Sequence, residues 1–326
     1  MATVTTHALR DQILVRRERL RAAQGRLDAA AQVEGLLREV DAALERLDGG
    51  SLGVCETCDD PIEHDRLMAD PLVRFCLDHL TPAETQALQH DLDLAARIQV
   101  GLLPQHDLAS GGWEIRYHYE PVGAVSGDYC DVVASSGHDL FFALGDVSGK
   151  GVAASLLMSH LQAIFRSLIA TSLPLPEILA RANRLFCEST LAPYYATLVS
   201  GRAGAAGEVE ICNAGHPPGL LVRRGGVERI DSTGLPLGMF CSGDYGTRTL
   251  RMEKGDTLLL YTDGLSEARS PKGEEYGVER LARVAAGLAS ESAEGVVRAC
   301  LRDLGAHLVG GKKADDLTLM AVRRTV

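Results

Sequence analysis

Residues 139–151, DLFFALGDVSGKG, decide how this chain is organised. Apolar residues run from Leu140 to Leu144, stop at Gly145 and deliver one carboxylate, Asp146, at the end of a strand. Ser148, Gly149, Lys150 and Gly151 make a tight turn, and an apolar helical stretch starts at Val152. A buried strand that ends in an aspartate and a glycine turn suits a metal ion, because the strand fixes the carboxylate while the glycines let backbone and substrate approach. Gly-Asp alone is also ordinary turn chemistry, so the stretch takes its meaning from other aspartates in the same setting.

Three more occur: Asp128 in VSGDYCD, Asp263 in LLLYTDGLSEA and Asp316 in ADDLTLM. Each lies at the edge of an apolar strand, and Asp128, Asp146 and Asp263 have glycine immediately beside them. Oxygen ligands with few histidines nearby suit Mg²⁺ or Mn²⁺, and two such ions roughly 3.5–4 Å apart activate water for in-line attack on a phosphoryl group. Singly, each of these aspartates reads as a turn or capping residue. Asp131 and Asp315 rank second, Asp315 as a solvated neighbour of Asp316. His216, in NAGHPP, invites an acid role, but Pro217 and Pro218 favour a rigid structural turn. Lys150 is close enough in sequence to contact a phosphate and is equally readable as solvated. Cys187, Cys212, Cys241 and Cys300 show no ligand spacing and read as core residues.

Working outward, strands are expected at 113–119, 129–133, 140–144, 194–200, 208–213, 219–223, 247–251, 256–261 and 317–322. Helices are expected at 152–171, 176–190, 277–288 and 292–308. Strands, a helix pair, more strands and late helices make an α+β layered sandwich. Upstream, a connecting helix follows Thr81-Pro82 and stops before Pro104. Its seam of Leu88, Leu92, Ala95 and Leu102 includes one polar position, Gln99, which either sets register in a dimer or is exposed.

Residues 53–80 carry Cys55, Cys58, Cys76 and His79 in the spacing C-x2-C-x17-C-x2-H. Two short knuckles with two soft or borderline ligands each close a tetrahedron around one zinc ion, leaving no open position, so this site is expected to be structural. Residues 8–48 read as helix, with Ile13, Leu20 and Leu27 in one register and Val33, Leu37, Val40, Leu44 and Leu47 in another. That offset allows either a helical hairpin turning near Gly25 or a stammered single coiled coil.

Composition bounds the rest. The chain has 326 residues, 46% hydrophobic and 24% charged, with a formal net charge of −11. The charge argues against nucleic-acid or anionic-membrane partners. Residues 51–82 hold seven acidic and two basic residues, which argues equally against a phosphate-backbone reader. No unbroken apolar run reaches bilayer length and the start lacks an apolar signal core, so a cytoplasmic protein with reduced cysteines is expected.

Two resemblances follow from these motifs. Residues 53–80 resemble the DksA/TraR-type zinc finger at Gly53, Ile62, Arg66, Leu67, Ala69 and Pro71, with His79 replacing the fourth cysteine and Asp59 standing where glycine is usual. Residues from about 98 to 324 resemble the SpoIIE/RsbU-like branch of the PPM, or type 2C, metal-dependent Ser/Thr protein phosphatases. The motifs run in family order: IQVGLLP (98–104), SGDYCD (126–131), GDVSGKG (145–151), RANRLF (181–186), YATL (195–198), NAGHPP (213–218), GLPLG (234–238), LLLYTDGLSEA (258–268) and DDLTLM (315–320). Cys130 departs from the family's usual aromatic, and no equivalent of the eukaryotic phosphate-binding arginine can be placed.

The resemblance implies an αββα β-sandwich with two Mn²⁺ or Mg²⁺ ions at one end. Asp146 would bridge the ions with the Val147 carbonyl on one of them, Asp263 and Asp316 would hold the other, and Asp128 would act through a coordinated water. It implies a phosphorylated protein substrate, an anti-sigma-factor antagonist of the STAS type, and a dimerising helical linker. The expected layout is a helical, coiled-coil-like region at 1–50, the finger at 51–82, the linker helix at 83–105 and the phosphatase domain at 106–326, assembled as a homodimer. A rival reading is a non-catalytic zinc-finger regulator that binds RNA polymerase or another protein, which loss of any core aspartate would have favoured.

Overall fold

The computed structural model describes residues 2–23, 30–105, 108–134, 139–171, 173–190, 194–309 and 313–326. The chain divides into two compact units, Met1–Asp91 and Leu92–Val326.

In the first unit, α1 (Ala2–Ala23) packs on α2 (Ala30–Asp48). Ile13 is fully buried against Val40 and Ala43, with Leu20, Leu44, Leu52 and Leu72 around them. Arg10 pairs with Asp48, and Arg17 with Asp41 at 3.0 Å. Low numbers meet high ones, so the helices are antiparallel and the hairpin alternative holds. Its turn, with Gly25, lies outside the described residues. A short helix, α3 (His64–Ala69), follows. Next, α4 (Pro82–Leu102) opens on a capping box: Thr81 Oγ1 accepts from the Glu84 N–H at 3.2 Å, and Glu84 Oε2 accepts from the Thr81 N–H at 2.9 Å. Two donors that the helix cannot satisfy itself are thereby paired.

The second unit is built on two antiparallel sheets. One has six strands in the order β1 (Leu108–Ser110), β2 (Trp113–Glu120), β11 (Leu317–Arg324), β10 (Thr257–Tyr261), β7 (Gly219–Arg223) and β8 (Gly226–Ile230). The other has five, in the order β3 (Asp128–Ala134), β4 (Leu140–Val147), β5 (Ala196–Ala203), β6 (Glu208–Ala214) and β9 (Arg248–Arg251). Trp113, Ile115, Leu140, Phe142, Leu144, Leu258, Leu260 and Met320 fill the space between the sheets. The pair α5 (Gly151–Ile169) and α6 (Leu175–Ser189) covers the five-stranded sheet, through Met158, Leu161, Phe165 and Phe186 among others. The pair α8 (Val278–Ala286) and α9 (Ala293–Leu308) covers the six-stranded sheet through Leu281, Val296, Cys300 and Leu304. This is the expected four-layer αββα sandwich. β4 and β10 are apolar on both faces because each face meets a layer, as strands buried on both sides require.

The unexpected elements are short. β1, α3 and α7 (Asp263–Ser266) have three, six and four residues, and β8 reads GVERI. None is long or periodic enough to stand out by pattern. By length and mean composition alone α5, 19 residues long, could cross a bilayer, although Ser155, His160, Gln162 and Arg166 interrupt its apolar run. It lies instead on β3 and β4 with Ala154, Met158, Leu161, Ile164 and Phe165 buried, so its apolar length is spent on the core. One reading needs correction: Cys187 and Cys241 are disulfide-bonded to each other, so they are neither reduced nor core residues. Cys212 and Cys300 are buried, as expected.

The packing between β4 and β5 is tight at one point. Phe142 and Gly201 are directly opposed, and a Cβ on Gly201 would come within 2.2 Å of the Phe142 ring. Gly201→Ala is therefore expected to destabilise the protein by about 1–3 kcal/mol through overpacking. Denaturant unfolding checks this, with Phe142→Leu in the same chain recovering part of the loss.

Candidate metal centres

The four aspartates come to one end of the sandwich by different routes. Asp128 opens β3 directly opposite Asp146, the penultimate residue of β4. The strand thus runs through Gly145 instead of stopping there. Asp263 is the first residue of α7, just past β10, and Asp316 lies just before β11. The pairing of β10 with β11 sets these two side by side.

Asp128 is buried at 1% exposure, and its Oδ2 accepts from Thr318 Oγ1 at 2.5 Å and Thr262 Oγ1 at 3.1 Å. A carboxylate from one sheet is thereby held by two hydroxyls of the other. Asp316 accepts from the backbone N–H groups of Val122 (2.8 Å) and Gly127 (2.9 Å), which holds the 121–127 loop against β11. Burial, then Asp146, pushes the Asp128 carboxyl well above the usual carboxylate range. Burial followed by Asp263, Asp315 and Asp316 pushes Asp146 up to about 8, and burial and Asp315 raise Asp263. Asp128 feels Asp146 and Asp316, and Asp146 feels Asp263 and Asp316, so the four carboxylates lie close enough to repel one another.

Around them the secondary candidates resolve. Asp131 is fully buried and faces α5, where Arg166 binds it at 2.5 and 2.7 Å and Tyr129 Oη at 3.1 Å, so it is a packing residue. Asp315 is not simply solvated: it pairs with Lys150 at 2.8 Å. Lys150 also donates to the Ala314 carbonyl at 2.7 Å. A cavity of about 140 Å³ lies beside them, lined by Lys150, Asp263, Glu267, Arg269 and Asp315. His216 is buried, with Nδ1 2.9 Å from Thr197 Oγ1, and burial lowers its pKa to about 3 against an opposing contribution from the Tyr261 backbone. The buried imidazole, with its backbone N–H on Asn213 Oδ1 at 2.8 Å, fits the rigid turn expected of NAGHPP.

Gln99 is the residue whose role the sequence did not show. It is neither exposed nor at a seam between chains: it is 5% exposed, its Nε2 donates to the Ser126 carbonyl at 2.7 Å and its Oε1 accepts from the Ser126 N–H at 2.9 Å. It thus clamps both backbone groups of a residue two positions before Asp128. A polar side chain inside the apolar IQVGLLP run was the only signal.

In the first unit, ligand atoms of Cys55, Cys58, Cys76 and His79 lie within 4.8 Å of one another. Cys58 Sγ is 3.8 Å from Cys76 Sγ, and Cys76 Sγ is 3.2 Å from His79 Nδ1. A tetrahedron with Zn–S bonds of about 2.3 Å has edges of roughly 3.8 Å, so the set fits zinc. Burial opposes ionisation of Cys55, but backbone N–H groups of Cys76, Thr57 and Cys58 bring its thiol down to about 6. Asp59 has φ +60°, the left-handed conformation that explains why glycine is usual at this turn.

Residues 136–325 match the family described as Stage II sporulation protein E (SpoIIE). The chain belongs to the SpoIIE family. Residues 50–78 match the prokaryotic DksA/TraR C4-type zinc finger, and His79 stands one residue past that match. Phosphoserine phosphatase RsbU of Bacillus subtilis is 27% identical, over 74% of this chain and 72% of its own. Protein IcfG of a Synechocystis strain is also 27% identical, over 72% of this chain but only 41% of its own length. The crystal structure of the RsbU and RsbW domains of a Mycobacterium tuberculosis protein is 32% identical with a TM-score of 0.59, covering 67% of this chain and 61% of that one.

The carboxylate end fits the hard divalent ions that the family fold implies. Its donors are oxygens that repel one another, and Gly127 leaves the approach open: a Cβ there would lie 3.1 Å from the Val147 carbonyl and 3.4 Å from Asp146 Oδ1. The finger yields a separate prediction. One zinc per chain is expected to survive gel filtration, measured by elemental analysis, and Cys76→Ser is expected to lose it. Because the local core is only Cys55, Ile62 and Cys76 with Cys58, Val73 and Phe75 packed against them, that loss is expected to unfold residues 53–80 and raise hydrogen exchange there to the open-chain rate.

Proposed function

We propose that this protein is a metal-dependent phosphatase of phosphoserine or phosphothreonine in proteins. The observation that carries the reading is the gathering of Asp146, Asp263 and Asp316, backed by Asp128, at one end of the sandwich, where burial and like charge raise the Asp146 carboxyl to about 8. Such a group stays charged at neutral pH only beside cations. The relative RsbU is named a phosphoserine phosphatase, and the family resemblance supports a phosphorylated anti-sigma-factor antagonist of the STAS type as the substrate.

In this reading Asp146, the Val147 carbonyl, Asp263 and Asp316 hold two Mn²⁺ or Mg²⁺ ions. When bound, such ions supply Lewis acidity toward the phosphoryl oxygens and a water of lowered pKa for in-line attack. The chain's own residues do the positioning. Thr262 and Thr318 fix the Asp128 carboxylate, and Asp316 restrains the loop that carries Gly127. Asp315 holds the Lys150 ammonium at the cavity mouth, and Glu267 and Arg269 complete its wall. The zinc site, with four protein ligands, is structural.

Control runs through α4. Gln99 ties this helix to the Asp128 loop, while Leu88, Leu94, Ile98 and Val100 are exposed along it. A homodimer joined through the accessible end of the expected seam, Leu88 and Leu92, with residues 1–105 setting the position of α4, would tune the metal end. A two-state element of this kind needs packings that differ by only a few kcal/mol.

Asp146→Asn is expected to lower Mn²⁺-dependent hydrolysis of p-nitrophenyl phosphate by more than about 100-fold; full activity in this variant overturns the assignment. The same variant has a second readout in metal-free protein. A carboxyl raised by folding contributes stability that is complete below about pH 4 and lost as pH rises toward 8. Asp146→Asn should therefore raise Tm at pH 8 and remove that slope, by about 2–4 °C for each kcal/mol recovered.

Gln99→Ala leaves the buried Ser126 N–H and carbonyl unpaired. It is expected to raise the Mn²⁺ concentration for half-maximal activity by roughly 10–100-fold, the range for residues that orient metal ligands. Manganese titration of turnover checks this, and an unchanged midpoint would show that the clamp does not reach the metal end.

A further inference from the structure

A concave surface of the second unit lies away from the carboxylates. A cleft of about 1010 Å³ opens between the outer strands of the two sheets, β8 and β9, and the turns beside them. Asp256 and Arg323 are at this cleft, whereas Asp263 and Asp316 are at the other ends of β10 and β11. Asp256 and Asp263, like Arg323 and Asp316, are seven positions apart along the strands, about 23 Å.

The cleft is basic in a protein of net charge −11. Arg223, Arg224, Arg248, Arg251, Lys254 and Arg323 line it, against three carboxylates. Two of those carboxylates are committed: Glu228 pairs with Arg248, and Asp256 with Arg223 at 3.2 Å. The third, Glu253, is exposed. Arg323 is bound inward to the Gly255 carbonyl at 2.8 Å and Thr257 Oγ1 at 3.0 Å. Arg224, Arg251 and Lys254 are exposed and have no acidic partner among the described residues.

Charges on edge strands also serve simply to block aggregation. That role needs no concavity and no uniform sign, and here unpaired cations of the minority sign face one cleft. Small-molecule sites are mostly apolar, whereas Leu250 and Ala289 are nearly all the apolar lining here. Guanidinium forks match carboxylates in pairs. The edges of β8 and β9 leave backbone groups that an extended chain could pair with.

We propose that this cleft binds an extended acidic segment of a partner protein, at a distance that leaves the carboxylate end open. The bound segment lies along the strand edges with its carboxylates on Arg224, Arg251 and Lys254. The strongly negative remainder of the surface disfavours longer polyanions such as nucleic acid.

Fluorescence anisotropy of a labelled deca-glutamate peptide titrated with the full chain tests this. Binding is expected at 50 mM salt and should weaken about tenfold by 200 mM. Arg224→Glu with Lys254→Glu, both in turns, should weaken it at least about tenfold, while circular dichroism and thermal melting stay as in the parent. Arg251→Glu, on the strand, should act in the same direction. No binding, or equal binding by the charge-reversed variants, overturns the proposal. Tighter binding of a ten-residue oligo-dT or of inorganic triphosphate than of the peptide overturns it in favour of a phosphate ligand. None of these readouts uses turnover, so the result is independent of the phosphatase reading.

Discussion

The carboxylate of Asp128 joins the two halves of the sandwich. It starts on β3 of one sheet and accepts hydrogen bonds from Thr262 and Thr318 of the other, in a place closed to water. An ionised or partly ionised carboxylate is costly to bury without such donors. The two hydroxyls therefore decide how closely the sheet ends meet. The spacing of Asp146 from Asp263 and Asp316 depends on that closure, since these residues belong to opposite sheets. The Asp316 bonds to the Val122 and Gly127 N–H groups and the Gln99 clamp on Ser126 then fix the loop leading into Asp128.

The chain separates two kinds of metal chemistry. In the finger, three thiols and an imidazole surround one point and leave no position for a reactant, and the surrounding core is a few side chains. At the sandwich end, oxygen donors sit beside a cavity on a scaffold with a large apolar core of its own.

Much of this was legible because it is local. Strand alternation, the C-x2-C and C-x2-H knuckles and the glycine-flanked aspartates are short-range patterns, and the motif order from IQVGLLP to DDLTLM carried the family and the four-layer sandwich. Asp59 is a good example. Its place in a glycine position was visible as an oddity in the sequence, and the left-handed backbone gives its reason.

What tertiary structure alone decided are the pairings between distant segments. Gln99 in an apolar helix could face solvent, another chain or its own protein, and only the packing of α4 puts it on Ser126. Asp131 and Asp128 sit three residues apart with the same chemistry, yet they point to opposite sides of β3, one to Arg166 on α5 and the other to the threonines of the facing sheet. The Cys187–Cys241 bond and the basic cleft between β8 and β9 likewise join segments with no shared local pattern. Sequence determined which residues carry chemistry and which elements carry them, because those depend on near neighbours. Which of them meet is set by sheet order and helix packing, since contacts across the fold leave no periodic trace in the chain.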